Sequence, residues 1–172
     1  MPLRYVLLGA LALFSAACGG TSKDDPADQS LWPSNATQLK FVNGGGGLVA
    51  PPPAGSECQD GGAGSFTVTV ADRKLSWESC AYQAPGGNQQ LVGSRTLSPD
   101  ELQSVIAAVK SVTLSTSTSC GADKPSEALE ITSPAGTKEY LDEFYACDMA
   151  GVYISNIDAV ASVLQKLAFP TP

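Results

Sequence analysis

Apolar and polar positions along this chain follow two periods. Phe66-Thr67-Val68-Thr69-Val70 alternates strictly, and Leu75 and Trp77 continue the alternation beyond Asp72-Arg73. A period of two marks a half-buried strand, so the stretch predicts an antiparallel hairpin with Phe66, Val68 and Val70 on its buried face. Residues 127–132 alternate again, with Leu129 and Ile131 inward. Ser133-Pro134-Ala135-Gly136 is a turn, and residues 138–147 return. Tyr140, Leu141, Phe144 and Tyr145 also fit a helical face, but the turn before them and their aromatic content favour a strand. Residues 38–42 form a first short strand running into Gly44–Gly47 and the prolines at 51–53, and residues 84–90 read as a loop.

The helical period occurs twice. Ser98 is an N-cap, Pro99 takes the first helical position and Glu101 completes a capping box. Leu102, Val105, Ile106 and Val109 form the apolar stripe behind it. Ile157, Val160, Ala161, Leu164 and Leu167 make a second stripe over residues 157–168, capped near Ser155 or Asn156. Between the helix and residue 127, the Ser/Thr-rich stretch 111–119 starts extended at Val112 and Leu114. The order is β-β-β-α-β-β-α. It predicts an α+β fold: an antiparallel sheet of about five strands with both amphipathic helices on one face.

One apolar run has neither period. Arg4 precedes it, residues 6–14 are almost wholly apolar, and Ser15-Ala16-Ala17 places small residues directly before Cys18. The run is about half the ~20 residues needed to span a bilayer, so it reads as a cleaved export signal. Small residues followed at once by cysteine resemble the lipobox of bacterial lipoproteins. Ser15 stands where that family usually has Leu, and Ser15-Ala16-Ala17 also suits ordinary secretion. The resemblance implies cleavage before Cys18 and acylation of its thiol, as with palmitate. Gly19, in place of an Asp after the cysteine, implies the outer membrane. The chain then divides into a signal peptide (1–17), a flexible tether (18–36), small, polar and charged from Gly19 to Pro26, and one α+β domain (37–169). That domain of about 135 residues is large enough to bury roughly two-thirds of its unfolded surface.

The five cysteines are Cys18, Cys58, Cys80, Cys120 and Cys147. With Cys18 lipidated the other four pair fully, and no C-x-x-C spacing suggests zinc. A hairpin turning at Asp72-Arg73 returns Cys80 towards its own entry, and Cys58 lies just upstream of that entry. The second hairpin repeats the plan with Cys120 and Cys147. The expected bridges are therefore Cys58–Cys80 and Cys120–Cys147, and the fold is braced by two disulfides.

The formal charge is −7, and losing Arg4 with the signal makes it one unit more negative. This opposes nucleic acid and anionic head groups, so the membrane bond is expected from acyl chains. There is no histidine. That excludes Ser-His-Asp and Cys-His nucleophile systems and every histidine-ligated metal or haem site. No serine lies in a Gly-x-Ser-x-Gly elbow or a Ser-x-x-Lys pair. Asp142, Glu143 and Asp148 form the densest late acidic group, but adjacent strand residues face opposite ways, so they read as solvated edge charges. Trp77, Tyr82, Tyr140, Phe144, Tyr145 and Tyr153 are candidates for a sugar-binding platform and read more simply as core.

The stretch from Leu39 to Leu167 also resembles the emfourin type of peptidase inhibitor. The resemblance rests on a strand running into Gly44-Gly45, the helix opening Leu97-Ser98-Pro99-Asp100-Glu101, Asp123, the strand Leu129-Glu130-Ile131 with its Gly136 turn, and a closing amphipathic helix. It implies peptidase inhibition and identifies no inhibitory residue. The leading expectation is a non-catalytic, lipid-anchored envelope protein without cofactor or metal. It is expected to be a monomer that binds or supports an unidentified envelope protein and does not bind nucleic acid. A peptidase inhibitor is the alternative, and a carboxylate-only hydrolase a further one, because glycosidases need no histidine.

Overall fold

The computed structural model describes residues 31–45, 52–82, 86–116, 124–144 and 151–170. Eight strands and two helices occur among them: β1 (Gln38–Asn43), β2 (Gly64–Thr69), β3 (Lys74–Ala81), β4 (Gln89–Thr96), α1 (Pro99–Lys110), β5 (Thr113–Leu114), β6 (Glu127–Ser133), β7 (Gly136–Asp142), β8 (Tyr153–Ser155) and α2 (Ile157–Ala168). The strands form one sheet in the order β4-β3-β2-β1-β6-β7-β8-β5. Every neighbouring pair is antiparallel except β7 and β8, which run parallel.

The α+β class holds, but the sheet is mixed and has eight strands, not five antiparallel ones. The three extra strands have plain physical reasons for escaping a pattern search. β5 and β8 are two and three residues long, too short to show a period. β4 is an edge strand in which no residue is fully buried, so selection for alternation is weak. At the point where it should carry an inward apolar residue it has Gly93. The Trp77 indole fills that space: a Cβ on Gly93 would lie 2.3 Å from the ring.

The two hairpins form as their alternation predicts. Phe41 faces Phe66 and Leu129, Leu39 faces Val68 and Ile131, and Val68 faces Leu75. These side chains share one face of the sheet and join the stripes of α1 (Leu102, Val105, Val109) and α2 (Ile157, Val160, Leu164) in a single core. Among the described residues no helix covers the other face, which is largely polar: Lys40, Thr67, Ser76, Ser94 and Glu130 stand on it. The return strand β7 ends at Asp142, and residues 145–150 lie outside the described part.

The caps anchor the helices to the sheet. Glu101 N–H donates to Ser98 Oγ at 3.2 Å and Ser98 N–H to Glu101 Oε2 at 2.7 Å, the expected capping box. Arg95 of β4 then bridges Glu101 Oε1 at 2.6 Å and the Leu167 carbonyl at 2.9 Å, joining β4 to the start of α1 and the end of α2. The Ser98 backbone bond first, then Arg95, hold the Glu101 carboxyl below its ordinary pKa. The α2 cap is at Asn156, left-handed at φ 68°, with no side-chain cap bond. Its amide instead donates to Ser111 carbonyl oxygen at 3.3 Å, tying α2 to the end of α1.

The tether boundary needs correction. Leu31, Trp32 and Ala36 are buried in the core, so the packed domain begins at or before residue 31 and not at 37. The polar composition of 19–30 does not continue through this short apolar patch.

Candidate functional site

Cys58 and Cys80 form a disulfide with Cα atoms 5.9 Å apart, as the hairpin geometry predicts. Cys120 and Cys147 lie outside the described residues, as do Cys18 and the signal segment. The bridge is one of several ties that fold the loop ahead of β2 over the open face of the sheet. Gly62 N–H donates to the Cys80 carbonyl at 2.7 Å, and Cys80 N–H to the Ala63 carbonyl at 2.8 Å. Asn88 is buried just before β4. Its carboxamide donates to the Gln59 carbonyl at 3.2 Å and its N–H to Ser56 Oγ at 2.9 Å, and its carbonyl accepts the Glu57 N–H at 2.8 Å. Nothing in the sequence marked Asn88, because its partners lie about thirty residues away across two strands.

Between that loop and the sheet runs a groove of about 470 Å³. Its floor is built from β1, β2 and β3, and Lys40, Asp60, Glu78 and Gln90 supply its polar walls. Lys40 is held by Glu130 at 3.0 Å and Glu78 accepts from Gln90 at 2.8 Å, so three of these side chains are already oriented by neighbours. Strands and a disulfide leave such a groove little freedom, which lowers the entropy lost when it is filled.

The aromatic platform does not assemble. Trp77 lies on the core face against Phe169, ring centroids 5.7 Å apart, and Tyr140 and Tyr153 are buried. Phe144 sits beneath Lys124, and Tyr145 lies outside the described residues. Tyr82 is 74% exposed and stands beside the groove, its ring against Gly61.

At the far end of the core face the structure brings together charges that the sequence kept apart. Lys124 Nζ lies 2.6 Å from Asp142 Oδ2, 3.3 Å from Asp158 Oδ2 and 3.7 Å from Glu127 Oε2, with the Phe144 ring centroid 5.2 Å away. Glu127 Oε1 accepts from Asn43 Nδ2 at 3.3 Å. The cluster therefore joins the end of β1, the start of β6, the end of β7 and the first turn of α2. Asp142 is 1% exposed and Glu127 6%. Asp142 is thus a buried, paired carboxylate and not the solvated edge charge its position suggested. Glu143 does face away from it and accepts from Ser115 Oγ, while Asp148 lies outside the described residues. Burial opposes the charge on Lys124, but hydrogen bonds to and proximity of Asp142, then Asp158, raise its pKa overall. Burial pushes the Glu127 carboxyl up to about 7. Lys124 offsets this only in part, and the charges of Asp158 and Asp142 add to it. One cation facing three carboxylates makes a clamp. Among the described residues no group of three or more His, Cys, Asp or Glu is arranged to hold a metal ion.

No family model matches this chain, and neither does any curated protein or solved structure.

Proposed function

We propose that the chain is a lipid-anchored, non-catalytic envelope protein that binds a partner through the open face of its sheet. The observation that carries this reading is the groove under the Cys58–Cys80 loop: a concave surface of mixed character on rigid strands, with charged and amide side chains on its walls, held by a disulfide that suits an oxidising compartment. The lipobox-like residues 15–18 support a lipid anchor, and Gly19 after the cysteine supports the outer membrane as its place. The two buried carboxylates, Glu127 and Asp142, favour no hydrolase, since both are turned to Lys124 and neither lines the groove. The emfourin-like alternative depends on the segment after Gly45, much of which lies outside the described residues.

Two experiments test the proposal. The tagged full chain is used to capture partners from envelope extracts, beside Glu78→Lys, which reverses a groove charge. Loss of the same captured protein from the variant supports the reading, and equal capture by both sinks it. The anchor is tested by fractionation: Cys18→Ser should move the protein into the soluble periplasmic fraction or leave an unprocessed precursor. A mutant that stays in the membrane as processed protein would remove the lipid from the account.

A further inference from the structure

The sheet has two unlike edges. One is β5, two residues long, and the other is β4, eight residues long. The pairing of β3 with β4 determines which backbone groups of β4 are already used. Leu97 N–H donates to the Arg73 carbonyl at 2.7 Å, and the same register sets Leu75 opposite Arg95 and Trp77 opposite Gly93. Bonded pairs alternate along an antiparallel ladder, so Gln89, Leu91, Gly93 and Arg95 turn their N–H and C=O groups towards β3. Gln90, Val92, Ser94 and Thr96 turn theirs outward. Glu57 Oε2 takes the Gln90 N–H at 3.1 Å. From Val92 to Thr96 the outward groups have no partner among the described residues. Val92, Ser94 and Thr96 also have exposed side chains, Val92 at 72%.

Natural sheets guard such an edge with proline, lysine, a bulge or a cover. β4 has no proline and no lysine, and its register with β3 is unbroken. It also contains no carboxylate, in a chain of net charge −7. Its one charge, Arg95, is paired with Glu101 at 2.6 Å. Two acidic copies therefore meet here with little repulsion.

We propose that β4 is where a second copy of this chain docks, antiparallel, about a twofold axis through Ser94, making one continuous sheet from two. Reversed onto itself about Ser94, the strand sets each outward residue against an outward residue: Val92 against the second copy's Thr96, and Ser94 against its counterpart. Every free N–H and C=O from Val92 to Thr96 then finds a partner. On the open face Glu78 stands beside Val92 and Lys74 beside Thr96, so across the junction an acid is in line with a base. The row through the axis reads Thr67, Ser76, Ser94 and then the same residues in reverse. A contact of one strand per copy is small beside the roughly 20–30 residues a side of a standard interface, so the dimer is weak and concentration-dependent. It departs from the monomer expected from the sequence.

The test uses the full chain. Light scattering across a concentration series should show a growing dimer fraction, and amide exchange at Val92, Ser94 and Thr96 should slow with it. Gly93 and Arg95, already bonded to β3, should not change. Ser94→Pro removes one outward donor without touching the β3–β4 ladder and should abolish the dimer. If that variant melts early, Val92→Lys places a guard on the same edge and should do the same. A chain that stays monomeric up to about 1 mM overturns the proposal. So does a dimer that survives both substitutions. So does protection of the three amides that appears only when an unrelated extended peptide is added.

Discussion

Glu127→Gln is expected to stabilise this protein, and only at the higher pH values. The Glu127 carboxyl titrates near 7 in the folded chain against an ordinary 4.5. Below about pH 4.5 the group is neutral folded or unfolded, so it contributes no pH-dependent term. As pH rises towards 7 the unfolded chain gives up its proton first, and folded stability falls. Above 7 the loss is constant, at 1.36 kcal/mol for each unit of displacement, or about 3 kcal/mol in all. Glutamine carries no charge at any of these values, and its Oε1 still accepts from Asn43. Lys124, Asp142 and Asp158 face position 127 in both proteins, so the two differ only in the group at that position. Urea unfolding of both proteins at steps from about pH 4 to 8 should therefore give nearly equal stability at the acid end. The variant should gain up to about 3 kcal/mol at the alkaline end, with an unchanged denaturant slope. A difference that does not vary with pH, or a variant less stable than wild type near pH 8, would refute the idea that burial of this charge is costly.

Lys124→Met should destabilise by about 3 kcal/mol, because Asp142 is left buried without its cation. Adding Asp142→Asn should recover part of that loss in thermal melts. Replacing both Cys58 and Cys80 by Ala opens a loop with a sequence separation of 22 and should cost about 3 kcal/mol in denaturant unfolding, unless the unfolded chain keeps structure there. Gly93→Val drives a branched side chain into the Trp77 indole and should cost about 1–3 kcal/mol, with a shift in tryptophan emission as the ring moves.

The sequence was most legible where a local rule and the tertiary packing agree. The Ser98 capping box, the stripes of α1 and α2, and the Phe66–Trp77 alternation all predicted their elements, because each buries one face against one core. The Cys58–Cys80 bridge was also readable, since a hairpin fixes which ends meet. β4 was missed because Trp77 does the packing that an inward residue at position 93 would have announced. β8 was missed because a three-residue strand shows no period. The Lys124 clamp had no local trace: its four charges are spread from 124 to 158, and the sheet brings them together. Asp142 looked like a surface charge for the same reason, as its partner lies on another strand's lead-in.

The burial of Leu31 and Trp32 in the core also limits how long a leash the proposed anchor could have. Under the proposed lipid on Cys18, the stretch from there to Leu31 reaches no more than about 47 Å even at full extension. A domain starting at residue 37 would have had about 68 Å. The folded part is itself on the order of 37 Å across, from a radius of gyration near 14 Å. Under the proposed anchoring the domain would stay within a layer little thicker than two of its own diameters above the membrane, and a partner would have to enter that layer. Among the described residues, a pull on the proposed anchor would meet Leu31 and Trp32 before β1, and their burial would resist it.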